Sequence, residues 1–187
     1  GLAIFFGLPI AWLLARTEFR GKAIVRAVAI LPLVLPPVVG GVALSFSFGR
    51  RGLVGQYLYR WFDITLPFTA KGVILAETFV AMPFLIITVE AALRSLDTRY
   101  EDAGASLGAG RWTVLRRVTL PAIAPSLAAG AALTWARALG EFGATITFAG
   151  NFKGVTQTLP LAVYLALETD SGSAIVLSLV MLAVSIS

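Results

Sequence analysis

The chain has 187 residues, of which 58% are hydrophobic and 13% charged, with a net charge of +5 and neither cysteine nor histidine; its mean hydropathy is +0.87. Soluble domains carry about 25% charged residues, so this composition disfavours a soluble globule, a disordered chain and a nucleic-acid module, and it excludes a disulfide scaffold. Without His or Cys the two commonest transition-metal ligands, the usual general base and the thiol nucleophile are all missing.

A helix needs about 20 mainly apolar residues to cross ~30 Å of hydrocarbon. Five apolar runs approach this: Gly1–Ala15, Ala27–Phe48, Gly72–Val89, Leu127–Gly150 and Gly172–Ser187. Lipid offers no hydrogen-bond partner, so the runs are expected to be helices, and no ~10-residue alternation of a barrel is present. The expected fold is an all-α integral membrane bundle of five spans. It would form a single transmembrane domain over residues 1–187, with a loop at 94–121 inside it. The first run lacks the basic start and small-residue cleavage site of a signal peptide. Both chain ends are expected to be cuts within or near spans.

Lys and Arg placement orients the spans. Arg16, Arg20, Lys22, Arg26, Arg94, Arg99, Arg111, Arg116 and Arg117 fall on one side, and Arg50, Arg51, Arg60, Lys71 and Lys153 on the other. The first and third connections are therefore expected in the cytoplasm, which puts the start of span one outside and the end of span five inside.

The second run contains Pro32, Pro36, Pro37 and the Gly40-Gly41 pair, and the third contains Pro83. Each proline removes a backbone donor. Span two is either a kinked helix packed among neighbours or a broken helix lining a pathway. Glu77 is the lone charge in span three. It can partner Arg137 or face a cavity.

The third connection is the most informative segment. Thr98-x-x-Glu101 fits a capping box, Glu101 and Asp102 suit a helix start, and Gly108 and Gly110 supply a stop. A second helix is expected from about Arg111 to Val118, ending before Pro121. Tyr100, Ala103 and Leu107 share one face of the first helix, as do Trp112 and Leu115 of the second. Such a helix–turn–helix either rests on lipid or docks a soluble partner.

In span four, Ala132, Ala136, Gly140 and Ala144 recur every four residues, a stripe that permits close helix approach and expects a central or interfacial span. Arg137 and Glu141 share a face and can pair, as a structural ion pair or as part of a polar pathway. Leu159–Leu167 is too short to span and reads as an interfacial or re-entrant helix. No G-x-x-x-x-G-K-[ST] occurs, so nothing in the sequence cradles ATP phosphates.

The loop resembles the signature of permeases of binding-protein-dependent ABC importers: Glu-Ala-Ala, three residues, Gly, nine residues, an aliphatic residue, one residue, Leu-Pro. Asp102, Ala103, Gly104, Gly108, Val118, Leu120 and Pro121 occupy those places, with Asp for Glu and Gly for the second Ala. Gly104 should loosen the helix by ~0.5–1 kcal/mol. The resemblance implies a coupling helix that seats in a separate ATPase, through Tyr100, Glu101, Asp102, Ala103, Gly104, Leu107, Gly108 and Pro121. The stretches Ala136–Ile146 and Thr156–Tyr164, with Leu35-Pro36-Pro37 and Gly49–Gly52, resemble the molybdate permeases of that family, with sulfate, thiosulfate and tungstate permeases as near relatives. Pro36, Pro37, Glu77, Arg137, Gly140, Glu141 and Thr145 are the candidates for the pathway or its packing.

The resemblance further implies two copies of this chain, two ATPase subunits and one external binding protein that selects the anion, in a bacterial or archaeal plasma membrane. ATP and Mg would sit on the partner. This chain would bind no cofactor, metal or nucleic acid and would catalyse nothing itself. The rival of another class is a self-contained channel or structural bundle whose loop lies on lipid.

Overall fold

The computed structural model describes residues 1–186. Among them are eleven α-helices and one π-helical segment, and no strand. Two uninterrupted helical runs, Ala70–Ser95 and Arg111–Leu139, are long and apolar enough to cross a membrane, while Leu2–Arg16, Pro37–Phe48, Leu159–Thr169 and Ser171–Ile186 are shorter apolar helices.

The chain divides into two compact units, residues 1–30 with 82–135, and residues 31–81 with 136–187. The first unit contains α1 (Leu2–Arg16), the start of α2 (Lys22–Val34), the second half of α5 (Ala70–Ser95), α6 (Arg99–Ser106), α7 (Arg111–Val114), a π segment (Leu115–Thr119) and most of α8 (Leu120–Leu139). Its core is Ala11 and Leu14 of α1, Ala29 of α2, Leu85, Ile86, Val89 and Leu93 of α5, and Ile123 of α8. Gly7 and Gly130 face this core closely. A methyl at Gly7 would stand 3.1 Å from Leu85, and one at Gly130 3.1 Å from Thr88.

The second unit holds the rest of α2 and α5, α3 (Pro37–Phe48), α4 (Gly55–Phe62), α9 (Gly143–Ala149), α10 (Leu159–Thr169) and α11 (Ser171–Ile186). Leu44, Ala76, Val80, Ala144 and Phe148 form its core. Helix α3 packs on α9 and α10 on α11. At the start of α11 the Asp170 carboxylate accepts from Ser173 Oγ and from Gly172 N–H. These two bonds hold its carboxyl below the usual range.

Several boundaries depart from the sequence reading. The second run is broken at Leu35–Pro36: α2 ends at Val34, Pro36 is the N-cap of α3, and Pro37 opens it, a position where a missing N–H costs nothing. Pro83, by contrast, is accommodated within an uninterrupted α5. The fourth run is displaced. Its helix starts at Arg111, in the expected loop, and ends at Leu139. There is thus no separate second loop helix, and Pro121 terminates nothing. Proline at 121 cannot donate, and its ring crowds the carbonyl four residues back, at Arg117. The wide π turn at Leu115–Thr119 relieves that crowding immediately upstream.

The small-residue stripe is likewise not one helix face. Ala132 and Ala136 lie exposed on α8, Gly140 is in the turn after it, and only Ala144, on α9, is buried. Helix α4 was not foreseen. Its sequence, GQYLYRWF, is amphipathic and leaves Tyr57, Trp61 and Phe62 exposed.

Helices α3 and α9 approach each other closely at Gly41. A methyl there would lie 2.7 Å from Thr147 Cβ and 2.8 Å from the Ala144 carbonyl oxygen. Gly41→Ala gains about 0.5–1 kcal/mol of helix propensity but should lose about 1–3 kcal/mol to overpacking, lowering the melting temperature of the detergent-solubilised protein. Gly140→Ala, whose added methyl meets nothing nearer than 3.7 Å, should change stability by no more than about 0.5 kcal/mol. Equal melting temperatures for the two variants would refute the α3–α9 contact.

Candidate functional site

In the first unit, α6 and the turn after it form an exposed knob. Tyr100 is 64% and Leu107 89% exposed, and Trp112, at the start of the long helix that follows, is 70% exposed. Asp102, Ala103 and Gly108 are exposed beside them. Gly108 has φ +82°, a left-handed conformation that glycine adopts without strain and that reverses the chain between α6 and α7. Gly104 faces inward, where a methyl would stand 3.3 Å from Val114 Cγ2. That close approach is a physical reason for glycine in place of the second alanine of the motif.

The expected capping box is not made. Thr98 forms no side-chain cap, and Asp97 Oδ1 accepts from Arg99 N–H at 2.9 Å instead. Glu101 points away from the helix start. Its Oε1 accepts from Arg16 Nη2 at 2.9 Å and from Thr119 Oγ1 at 2.9 Å. Pro121 lies in the first turn of α8, two residues beyond Thr119.

A second charged group lies behind the knob. Glu90 is 2% exposed, and its Oε1 pairs with Arg94 Nη2 at 2.9 Å and Arg26 Nη2 at 3.4 Å. Arg94 Nη2 also donates to the Leu14 carbonyl at 3.1 Å. One carboxylate thereby joins α1, α2 and α5. On the exposed connection between α1 and α2, Glu18 pairs with Lys22, whose hydrogen bond and charge hold the Glu18 carboxyl below its ordinary value. The network built on Glu90 and Glu101 was missed in the sequence. The only signal was the position of two acids among the Arg residues that flank the apolar runs.

The second unit gathers most of the pathway candidates around two helix breaks. Pro37, at the α2–α3 break, stands against Gly143, at the start of α9: a methyl on Gly143 would be 2.9 Å from Pro37 Cβ. Arg137 Nη1 and Glu141 Oε2 are 2.7 Å apart. Glu141 is 1% exposed, and its other oxygen accepts from Ala144 N–H at 2.8 Å. The expected pair is therefore present, but with Glu141 in the break after α8 rather than on a continuing helix. Arg137 is paired with Glu141 and not with Glu77. Glu77 is half-buried on α5 with no cation within ion-pair distance among the described residues. Thr145 is fully buried and its Oγ1 has no hydrogen-bond partner among them. Pro36 is exposed at the break, and Gly140 is exposed in the turn before Glu141. A separate cavity of about 450 Å³, lined by Ser45, Gly49, Arg50, Thr65, Phe68 and Phe148 among others, includes none of these candidates.

A family model described as the binding-protein-dependent transport system inner membrane component matches residues 6–187. Over 184 residues the chain is 48% identical to a Mycobacterium tuberculosis protein named molybdenum transport system permease protein ModB, an alignment covering 98% of this chain and 69% of that one. It is 47% identical over 175 residues to the Escherichia coli K12 protein of the same name, covering 91% and 76% respectively. Among solved structures, a chain of the MetNI methionine ABC transporter, in its inward-facing conformations, superposes with a TM-score of 0.72 at 18% identity, covering 98% of this chain and 81% of that one. At that identity the likeness establishes a shared fold. The chain belongs to the family of binding-protein-dependent transport system inner membrane components.

Removing one partner of a buried ion pair strands the other charge, at a cost of about 3 kcal/mol. Arg137→Met should therefore sharply lower the melting temperature of the solubilised protein. Arg137→Met with Glu141→Gln should recover most of the loss, because the Gln carbonyl can still accept from Ala144 N–H. If single and double variants melt together, the charge of Glu141 is not what Arg137 offsets.

Proposed function

We propose that this chain is the membrane-embedded permease subunit of an ATP-driven importer of molybdate, delivered by a binding protein outside the cell. The observation that carries this reading is the sequence identity to molybdenum permeases along nearly the whole chain, together with an exposed knob at the signature loop. The proposed assembly has two copies of this chain, two ATPase subunits and one binding protein. ATP and its Mg belong to the ATPase, and this chain is not itself catalytic.

In this scheme the chain crosses the membrane five times, as one transmembrane domain, through α1, the broken pair α2–α3, α5, the run from α7 to α8, and α11. Charge placement puts its start outside and its end inside. The coupling loop, expected over 94–121, comprises α6 and its flanking turns and runs on into the start of the long helix at Arg111, on the cytoplasmic side. Tyr100, Asp102, Ala103 and Leu107 would meet the ATPase, and Gly108 would set the turn that presents them. ATP-driven closure of the ATPase pair would displace the knob and switch the spans from inward- to outward-facing. The anion would then enter between the two copies. The paired breaks at Pro36-Pro37 and Gly140–Gly143 lie where a transporter places irregular backbone, beside a polar path. With Glu141 neutralised by Arg137, that path need not hold the anion tightly, and selection falls to the binding protein.

The test is molybdate uptake by proteoliposomes holding the whole complex. Gly108→Pro forbids the positive φ, and Asp102→Arg reverses a charge on the docking face. Each should lower uptake per ATP hydrolysed by a coupling loss of about 5- to 150-fold while membrane insertion persists. Unchanged uptake in both variants would count against docking. Exchanging the binding protein for a sulfate-specific one that still docks should change the cargo, and continued uptake of molybdate alone would place selectivity in this chain.

A further inference from the structure

Helix α6 has no buried residue. Its apolar approach to the chain behind it is at Gly104, toward Val114 and Val118, so the polar contacts of Glu101 supply the directional restraint on where the knob sits. That carboxylate receives two donors on one oxygen, Arg16 Nη2 and Thr119 Oγ1, each at 2.9 Å. The side chains are sheltered: Arg16 is 13% and Glu101 23% exposed, and Thr119 is 2% exposed. Charge-assisted bonds of this kind are short, directional and roughly twice as strong as neutral ones.

The two donors come from different elements. Arg16 is the last residue of α1, 85 positions from Glu101. Thr119 is the last residue of the π segment and leads directly into α8. The exposed side of α6 carries Tyr100 and Ala103, and the adjoining, half-buried side carries Glu101 and Gly104. One helix thus presents a docking face outward and a single charged anchor inward.

We propose that Glu101 is a positioning residue for transport. Through Arg16 and Thr119 it fixes α6 to the end of α1 and to the π segment, so that a displacement of α6 is delivered to α1 and α8 together. The π turn is the complementary part, since a wide turn held at one end by a side-chain bond is a place where a helix can change register. The origin of the displacement rests on the function proposed above; the joint itself does not.

The experiment uses the complex of this chain with its ATPase in lipid nanodiscs. The chain lacks cysteine, so spin labels can be placed at Arg20→Cys and Ala105→Cys against a cysteine-free ATPase. Their distance distribution is measured with and without ATP. A narrow distribution that keeps its width in both states is expected. Glu101→Gln and Thr119→Val should each broaden it, and the swap Arg16→Glu with Glu101→Arg should restore it. In proteoliposomes, Glu101→Gln should lower molybdate uptake per ATP hydrolysed by about tenfold, the equivalent of one charge-assisted hydrogen bond, with the ATPase still bound. Unaltered label widths in both single variants would overturn the proposal. So would release of the ATPase by Glu101→Gln without rescue by the swap, which would make Glu101 a docking contact. If the unmodified complex moves no molybdate, the cargo assignment fails while the label distances still report on the joint.

Discussion

In a hydrocarbon solvent every backbone N–H and C=O must find its partner within the protein, and the shape of this chain follows from that constraint. Its apolar runs become helices, and at the two breaks in them other groups take over part of the bonding. At the first break the chain loses two donors at Pro36 and Pro37. Leu35 N–H still reaches back to the Leu31 carbonyl, and the Pro36 carbonyl already accepts from Gly40 N–H. At the second break, Glu141 N–H bonds to the Ala138 carbonyl, and the Glu141 side chain then accepts from Ala144 N–H. The buried Glu141 can remain charged there because it completes the backbone and has Arg137 beside it. Losing Arg137 alone would strand the charge of Glu141, and losing the Glu141 acceptor would leave Ala144 N–H without its partner, so the break and the pair depend on each other.

The same economy governs the acids of the first unit. The chain has only ten Asp and Glu against fifteen Lys and Arg, and the sheltered ones sit at junctions. Glu90 joins three helices near the ends of their apolar stretches, and Glu101 joins α1, α6 and the π segment. Buried ion pairs add little net stability compared with apolar packing. Their contribution here is geometric: each allows only one relative placement of the elements it connects. A core of Leu, Ile and Val, such as Leu85, Ile86 and Leu93 of α5, supplies affinity between helices but tolerates sliding. The two carboxylates remove that freedom where α1 and α5 end.

The apolar runs were legible in the sequence because composition alone separates them from the connections, and the helical class follows because lipid admits only helices or closed barrels and no barrel alternation is present. The knob was legible too, through its glycine stop and its start at Arg99. The boundaries were not. Pro121 reads as a terminator only if the preceding turn is an ordinary α turn, and a π segment, which has no sequence signature, relieves it. The stripe of Ala132, Ala136, Gly140 and Ala144 presumes an unbroken helix that ends in fact at Leu139. Thr98 and Glu101 satisfy the capping-box pattern, yet Glu101 gains more from Arg16, whose proximity only the tertiary fold creates. At Glu101 the local rule failed because a distant partner competed for the same side chain.

Those failures coincide with the elements to which the proposed transport cycle assigns movement. A capping box would have spent Glu101 on the stability of an isolated eight-residue helix. The bond to Arg16 spends it on the attachment of that helix to α1. An exposed Leu107 and Trp112 are costly in water unless something covers them, and a knob without a core of its own is poorly placed to cover itself. In the proposed docking role, a surface with little internal packing, held from behind by charge, is stiff in position yet easily displaced as a unit. That combination is what a part needs if it must follow a partner's motion and convey it to the helices behind it.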